Sequence, residues 1–209
     1  MSIAIIDYGV GNVKSLHNAF SKINVNTVVT RDESIIKNSA ALVLPGVGGY
    51  PFAMSRLEDC GLSQLINDHS KNNKPILGIC LGMQLLFSSS EEFRYTKGLD
   101  IIKGNVKSFK DFPSFSSTVP NIGWSKITAL NHALSPRLFK GIEDQYFYFV
   151  HSYCCSPSNP QSSVLSTTNY EETTFCSAAS DKMTVGVQFH PEKSGEAGLS
   201  LIENFCDLI

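Results

Sequence analysis

The sequence predicts an α/β fold: a doubly wound, mostly parallel sheet with flanking helices, and extra antiparallel strands in its second half. Three observations carry this reading. Short, continuously apolar segments alternate with segments of helical periodicity between residues 3 and 87, as expected of strands buried on both faces. Beyond residue 100 the texture shifts to strand candidates separated by Ser- and Pro-rich loops. Glycines or turn residues follow several of the early strands directly, where open α/β sheets bind their ligands.

The elements follow in order. Residues 3–7 read as a short buried strand, and Val13, Leu16, Phe20 and Ile23 then recur at helical spacing. Residues 25–29 and 41–44 are the next strands; residues 52–57 and 62–69 are helical. Residues 76–79 form a strand and residues 81–87 begin the helix after it. In the second half, strands are expected at 101–106, 122–127, 145–150, 164–168, 175–178 and 184–189. Leu199, Ile202, Phe205 and Cys206 mark a closing helix. Residues 108–117 and 156–163 read as loops, not linkers, because core strands follow both. With no internal repeat and no compositional boundary, residues 1–209 are expected to form one domain.

The composition, 42% apolar and 17% charged over 209 residues, is that of an ordinary globule with a sizeable core. The formal net charge is -2 and basic residues form no block, which argues against nucleic acid or an anionic membrane as partner. The chain opens straight into a strand, without a basic leader. The longest apolar stretch, residues 76–87, contains Gly and Gln and is shorter than the ~18 residues of a membrane span. A cytoplasmic location is expected. The six cysteines include no C-x2-C hook, and the adjacent Cys154 and Cys155 make a poor disulfide. Reduced thiols are expected, with no metal site and no cofactor.

One cysteine stands apart. Pro75-Ile76-Leu77-Gly78-Ile79-Cys80-Leu81-Gly82-Met83-Gln84 places Cys80 between two glycines, after an apolar strand and before a helix. This is the nucleophile-elbow pattern with Cys in place of Ser. Side chains at Gly78 and Gly82 would collide across such a turn. The turn lifts the thiol clear of the sheet and aims the next backbone N–H groups at it.

Near the other end stands Thr184-Val185-Gly186-Val187-Gln188-Phe189-His190-Pro191-Glu192. A nucleophilic Cys needs a base, and the base needs a carboxylate to hold its tautomer. Cys80, His190 and Glu192 supply all three. Pro191 pushes His190 toward an extended conformation, so the His190–Glu192 pair is expected on a stiff strand end.

Gly-Ile-Cys-Leu-Gly-Met-Gln with a late Phe-His-Pro-Glu resembles the class I, triad glutamine amidotransferases, a flavodoxin-like fold. Further segments narrow the likeness: Asp7-Tyr8-Gly9-Val10-Gly11-Asn12, Leu44-Pro45-Gly46-Val47-Gly48, Pro120-Asn121-Ile122-Gly123-Trp124, Tyr148-Phe149-Val150-His151-Ser152-Tyr153, and Phe189-His190-Pro191-Glu192-Lys193-Ser194-Gly195. Together they are similar to one group in that family, the glutaminase subunits of imidazole glycerol phosphate synthases. The resemblance implies L-glutamine as substrate. It also implies a heterodimeric partner, a cyclase subunit with a (β/α)8 barrel. That subunit receives ammonia through a channel and makes imidazole glycerol phosphate and aminoimidazole carboxamide ribotide in histidine biosynthesis. A paralogue feeding another acceptor, as in surface-polysaccharide amidination, would carry the same triad. A cysteine hydrolase or chaperone on the same scaffold is disfavoured by Gln84 and the Phe-His-Pro-Glu-Lys-Ser-Gly run. The intact Cys80, His190 and Glu192 argue against a non-catalytic regulatory subunit.

The pairs Gly9-x-Gly11 and Gly46-x-Gly48 do not complete a dinucleotide loop, and no phosphate lysine motif follows. Gly46, Val47 and Gly48 suit an oxyanion strand instead. Leu81 N–H would be one donor to the tetrahedral oxyanion, and Val47 or Gly48 N–H the other. By resemblance, Gln84, Glu92, Ser152 and Tyr153 line the glutamine pocket, with Glu92 complementary to the α-ammonium. His151 reads as structural, since no carboxylate follows it as Glu192 follows His190. Asn12, Asn121, Trp124 and Lys193 are expected at the contact with the barrel.

Overall fold

The computed structural model describes residues 2–113 and 115–209; of the expected loop 108–117, Ser114 lies outside the described residues. The first half alternates β1 (Ile3–Ile6), α1 (Val13–Lys22), β2 (Thr27–Thr30), α2 (Glu33–Asn38), β3 (Ala41–Leu44), α3 (Tyr50–Asp59), α4 (Leu62–Lys71), β4 (Ile76–Ile79) and α5 (Leu81–Leu85). There follow β5 (Phe87–Ser90), β6 (Thr96–Lys97), β7 (Ile102–Ser108), β8 (Asn121–Ala129), α6 (Ser135–Leu138), β9 (Tyr146–His151) and β10 (Tyr153–Pro157). The chain closes with α7 (Pro160–Ser163), β11 (Val164–Tyr170), β12 (Thr173–Asp181), β13 (Thr184–Val187) and α8 (Gly195–Cys206).

One sheet runs β2-β1-β3-β4-β13-β12-β10-β7-β5-β6, and β11, β8 and β9 branch from β12. The pairs β2–β1, β1–β3, β3–β4 and β4–β13 are parallel. From β12 outward most pairs are antiparallel. The predicted α/β class with an antiparallel second half is what the chain adopts.

Every residue of β1, β3, β4 and β13 is buried. The period of two explains how. Ile3 and Ile5 face a core layer with Leu16 and Phe20 of α1 and Phe205 of α8. Ala4 and Ile6 face the opposite layer with Ile36, Leu57 and Ile66 of α2, α3 and α4. The sheet is thus a slab between two helix layers, which leaves the strand ends as the open surface. Three other free cysteines are packing groups: Cys154 is buried in one layer, Cys155 and Cys176 in the other.

Three expectations need correction. Residues 108–117 are not a simple loop: β7 runs to Ser108, and Phe109–Asp111 forms a 3-10 turn capped by Ser108. The helix after Cys80 stops at Leu85, and Phe87–Ser90 is a strand. Pairing of β5 with β7 and β6 overrides the apolar run that suggested a longer helix. Residues 156–163 are not a simple loop: β10 extends to Pro157, and Pro160–Ser163 forms a helical turn. Pro157 is the last residue of that strand, opposite Gly104.

Candidate active site

Four parallel strands deliver the site. The C-terminal ends of β1, β3, β4 and β13 run into Tyr8, residues 45–48, Cys80 and residues 188–190. Cys80 lies between strand and helix at φ 55°, ψ -113°, a conformation strained for any residue with a Cβ. Its N–H donates to Val187 C=O at 2.8 Å. A Cβ at Gly78 would lie 2.8 Å from Gly82 O, and one at Gly82 only 1.9 Å from Leu44 O. The elbow therefore requires both glycines, as its spacing predicts. A Cβ at Gly46 would meet Gly82 N at 2.7 Å and Leu81 Cβ at 2.8 Å, so the loop after β3 lies directly on the elbow.

His190 is buried, with φ -103° and ψ 94° before Pro191. The extended conformation is as expected, but the strand has ended at Val187. Residues 191–193 form a 3-10 turn, and this turn, not a strand end, carries Glu192. It folds the carboxylate back so that Glu192 Oε1 lies 2.8 Å from His190 Nδ1. His190 Nε2 is buried, on the side of the ring away from Glu192. Burial opposes charge on this ring, but hydrogen bonding to, and negative charge on, the Cys80 sulfur and the Glu192 carboxylate outweigh it and push the imidazole up to about 9.

A cavity of about 410 Å³ opens beside the thiol. Val47, Gly48, Cys80, Leu81, Gln84, Glu92, Ser152, Tyr153 and His190 line it, with Pro120, Val150 and His151. Of the predicted pocket residues only Gly46 is absent from the lining; it packs beneath, against the elbow. The Val47 and Gly48 N–H groups make no hydrogen bond with the described residues, and as the first residue of α5, Leu81 has no intrahelical acceptor. Three backbone donors are therefore free around the thiol. Glu92 is half-buried, and desolvation raises its carboxyl pKa despite a 2.7 Å hydrogen bond from Tyr50 N–H.

A thiol on an elbow, a carboxylate-oriented imidazole and free backbone donors around one pocket are the parts of acyl transfer from an amide. A family model for "Glutamine amidotransferase class-I" matches residues 4–208. The chain belongs to the class I glutamine amidotransferases.

Among its relatives is "Imidazole glycerol phosphate synthase subunit HisH" of Methanothermobacter thermautotrophicus, 44% identical over 99% of this chain and 98% of that protein. The HisH subunit of Chlorobaculum tepidum is 42% identical over 98% of this chain and 99% of its own length. A solved glutamine amidotransferase matches with TM-score 0.74 at 13% identity, covering 97% of this chain and 98% of that one. PurLQS from Thermotoga maritima matches with TM-score 0.71 at 16% identity over 99% and 98%. These two structures confirm the amidotransferase fold.

Within this amidotransferase site, Gln84 is buried, and its Nε2 donates to Tyr153 O at 3.1 Å and Gln188 Oε1 at 3.0 Å. Gln188 is absent from the sequence-based site. It is fully buried, and its Nε2 approaches Cys80 Sγ at 3.7 Å. The available signal was a Gln inside the apolar run Val187-Gln188-Phe189, where an uncharged amide must find partners. His151 has both nitrogens occupied: Nδ1 donates to Tyr153 O at 2.8 Å, and Nε2 accepts from Asn121 Nδ2 at 3.2 Å. Burial lowers its pKa to about 4. A neutral, doubly bonded ring is the structural histidine expected.

The same pair corrects one contact residue. Asn121 is only 2% exposed and serves His151, so it is not on the surface. Asn12, Trp124 and Lys193 are exposed. Asn12 also caps α1, its Oδ1 accepting from Ser15 N–H. Lys193 Nζ stands 5.7 Å from the ring centre of Tyr148, and Trp124 meets the same ring edge-on at 6.2 Å. Tyr148, missed from sequence, centres this cluster and accepts His190 N–H at its carbonyl, 2.9 Å away.

Proposed function

We propose that the chain is the glutaminase subunit of an imidazole glycerol phosphate synthase, acting as one amidotransferase domain in the reducing cytoplasm. The observation that carries the reading is the Cys80–His190–Glu192 arrangement opening on a single cavity with Glu92 among its walls. Full-length similarity to HisH subunits supports the choice of pathway.

His190 Nε2 takes the proton of Cys80, and the thiolate attacks Cδ of L-glutamine. Leu81 N–H and a donor from Val47 or Gly48 hold the oxyanion. The His190 imidazolium protonates the leaving ammonia, and Glu192 keeps Nδ1 as the donor to itself. Water, deprotonated by His190, then cleaves the γ-glutamyl thioester. Glu92 pairs with the substrate's α-ammonium. Gln84, with its nitrogen committed to Tyr153 and Gln188, offers its carbonyl oxygen.

Ammonia passes to a (β/α)8-barrel cyclase subunit docked on the face with Asn12, Trp124, Tyr148 and Lys193. The partner uses it to form imidazole glycerol phosphate. The test is reconstitution with that subunit, comparing glutamine and ammonium salt as nitrogen donors. Synthesis from both supports the reading. Synthesis from ammonium alone, with the wild-type chain bound, overturns it.

A further inference from the structure

The loop after β3 is gripped at both ends and free in its middle. At its start the buried Tyr8 hydroxyl donates to Pro45 C=O at 2.7 Å. This fixes the Pro45–Gly46 peptide, which also lies under Gly11: a Cβ there would sit 3.0 Å from Pro45 Cβ. At its far end, Glu92 Oε2 accepts Tyr50 N–H at 2.7 Å. The next residue, Phe93, holds its ring over Gly49, where a Cβ would lie 3.3 Å from Cε2. Phe93 does this at φ 59° while 85% exposed. A bulky residue in the left-handed region is an outlier, and solvent exposure supplies no packing reason for it. Between the two grips, Gly48 has φ 89° and open space around its Cα.

We propose that Tyr8 and Phe93 are positioning residues forming a two-ended clamp. The clamp restricts movement of residues 45–49 to the Val47 and Gly48 peptides, two residues that line the pocket and whose N–H groups make no hydrogen bond with the described residues. The inference rests on the oxyanion reading given under the proposed function. Tyr8 acts through the Pro45 carbonyl and Phe93 through Gly49; neither lines the cavity. Because Glu92 belongs both to the glutamine pocket and to the far grip, bound substrate and loop geometry share one carboxylate. A donor positioned for the oxyanion acts in the transition state, so loosening the clamp lowers kcat and spares KM.

Two variants test this in the complex with the cyclase subunit, by glutamine hydrolysis and thermal unfolding. Tyr8→Phe removes one hydroxyl. Phe93→Gly removes the ring and relieves the left-handed backbone. In both, kcat is expected to fall about tenfold, less than the ~10²–10³ of losing a donor outright. KM for glutamine is expected to stay within about twofold, and Phe93→Gly is expected to melt no lower than wild type. Wild-type kcat in either folded variant overturns the clamp, as does a loss in Phe93→Gly that follows a lowered Tm. If Tyr8→Phe does not fold, the exposed Phe93→Gly decides alone. A wild-type complex inert toward glutamine overturns the glutaminase reading itself, and the clamp with it.

Discussion

Cys80 is the residue on which geometry and chemistry meet. Its φ of 55° is a cost that glycine would not bear. Cys80→Gly should therefore be more stable than Cys80→Ala by about 1 kcal/mol, the reverse of the usual order. Chemical denaturation of the two variants checks this, and both should lack glutamine-dependent activity. Glu192 acts through His190. Its removal takes away one of the two groups that hold the imidazole near 9. Glu192→Gln should lower glutamine hydrolysis by about 10²- to 10⁴-fold and move the alkaline limb of the kcat/KM profile to lower pH. The sign for stability follows from the same shift. The folded-state value lies above the ordinary 6.5, so this contribution is full below about 6.5 and lost as pH rises through about 9. The triad was legible in the sequence because an elbow and a His-x-Glu pair are local patterns. Gln188 and Asn121 were not. Gln84 meets Gln188 across 104 residues, and Asn121 meets His151 across 30, contacts that only the strand pairings create.

At the scale of elements, the strand–turn–helix of the elbow is the unit that cannot be altered. Gly82→Ala would drive a Cβ to 1.9 Å from Leu44 O, against a strand backbone that cannot rotate away. The expected loss is about 3 kcal/mol or more, read as a fall in Tm with loss of activity. A melting point equal to wild type would show that β3 and α5 are not in such contact. The buried strands β3 and β4 were readable to the residue: β3 stops at Pro45, and β4 begins after Pro75 and ends where the Gly78-x-Cys80-x-Gly82 elbow starts. The shortest elements were not. In α2, Ile36 alone is buried, too little for a periodic signal. The strand β5, Phe-Ser-Ser-Ser, owes its conformation to β7 and β6 and not to its own composition. The 3-10 turn that carries Glu192 was hidden for a related reason: His-Pro reads as extended, and the turn begins one residue later.

At the scale of the whole molecule, the doubly wound sheet sets thiol, imidazole and loop at one edge, and the Tyr148 cluster continues from that edge to the surface. Lys193 is exposed and touches this cluster while its neighbour Glu192 is buried. Lys193→Glu should weaken cyclase binding about tenfold, measured by titration calorimetry, and lower glutamine-dependent synthesis without lowering ammonium-dependent synthesis. Unchanged affinity would move the docking face elsewhere. In the proposed function, Cys80 draws nitrogen from glutamine for a reaction completed on another subunit. This is tested most directly by imidazole glycerol phosphate formation in the complex carrying Cys80→Ala, with each nitrogen source supplied in turn. No product is expected from glutamine, and undiminished product from ammonium salt. Product from glutamine in that variant would contradict it.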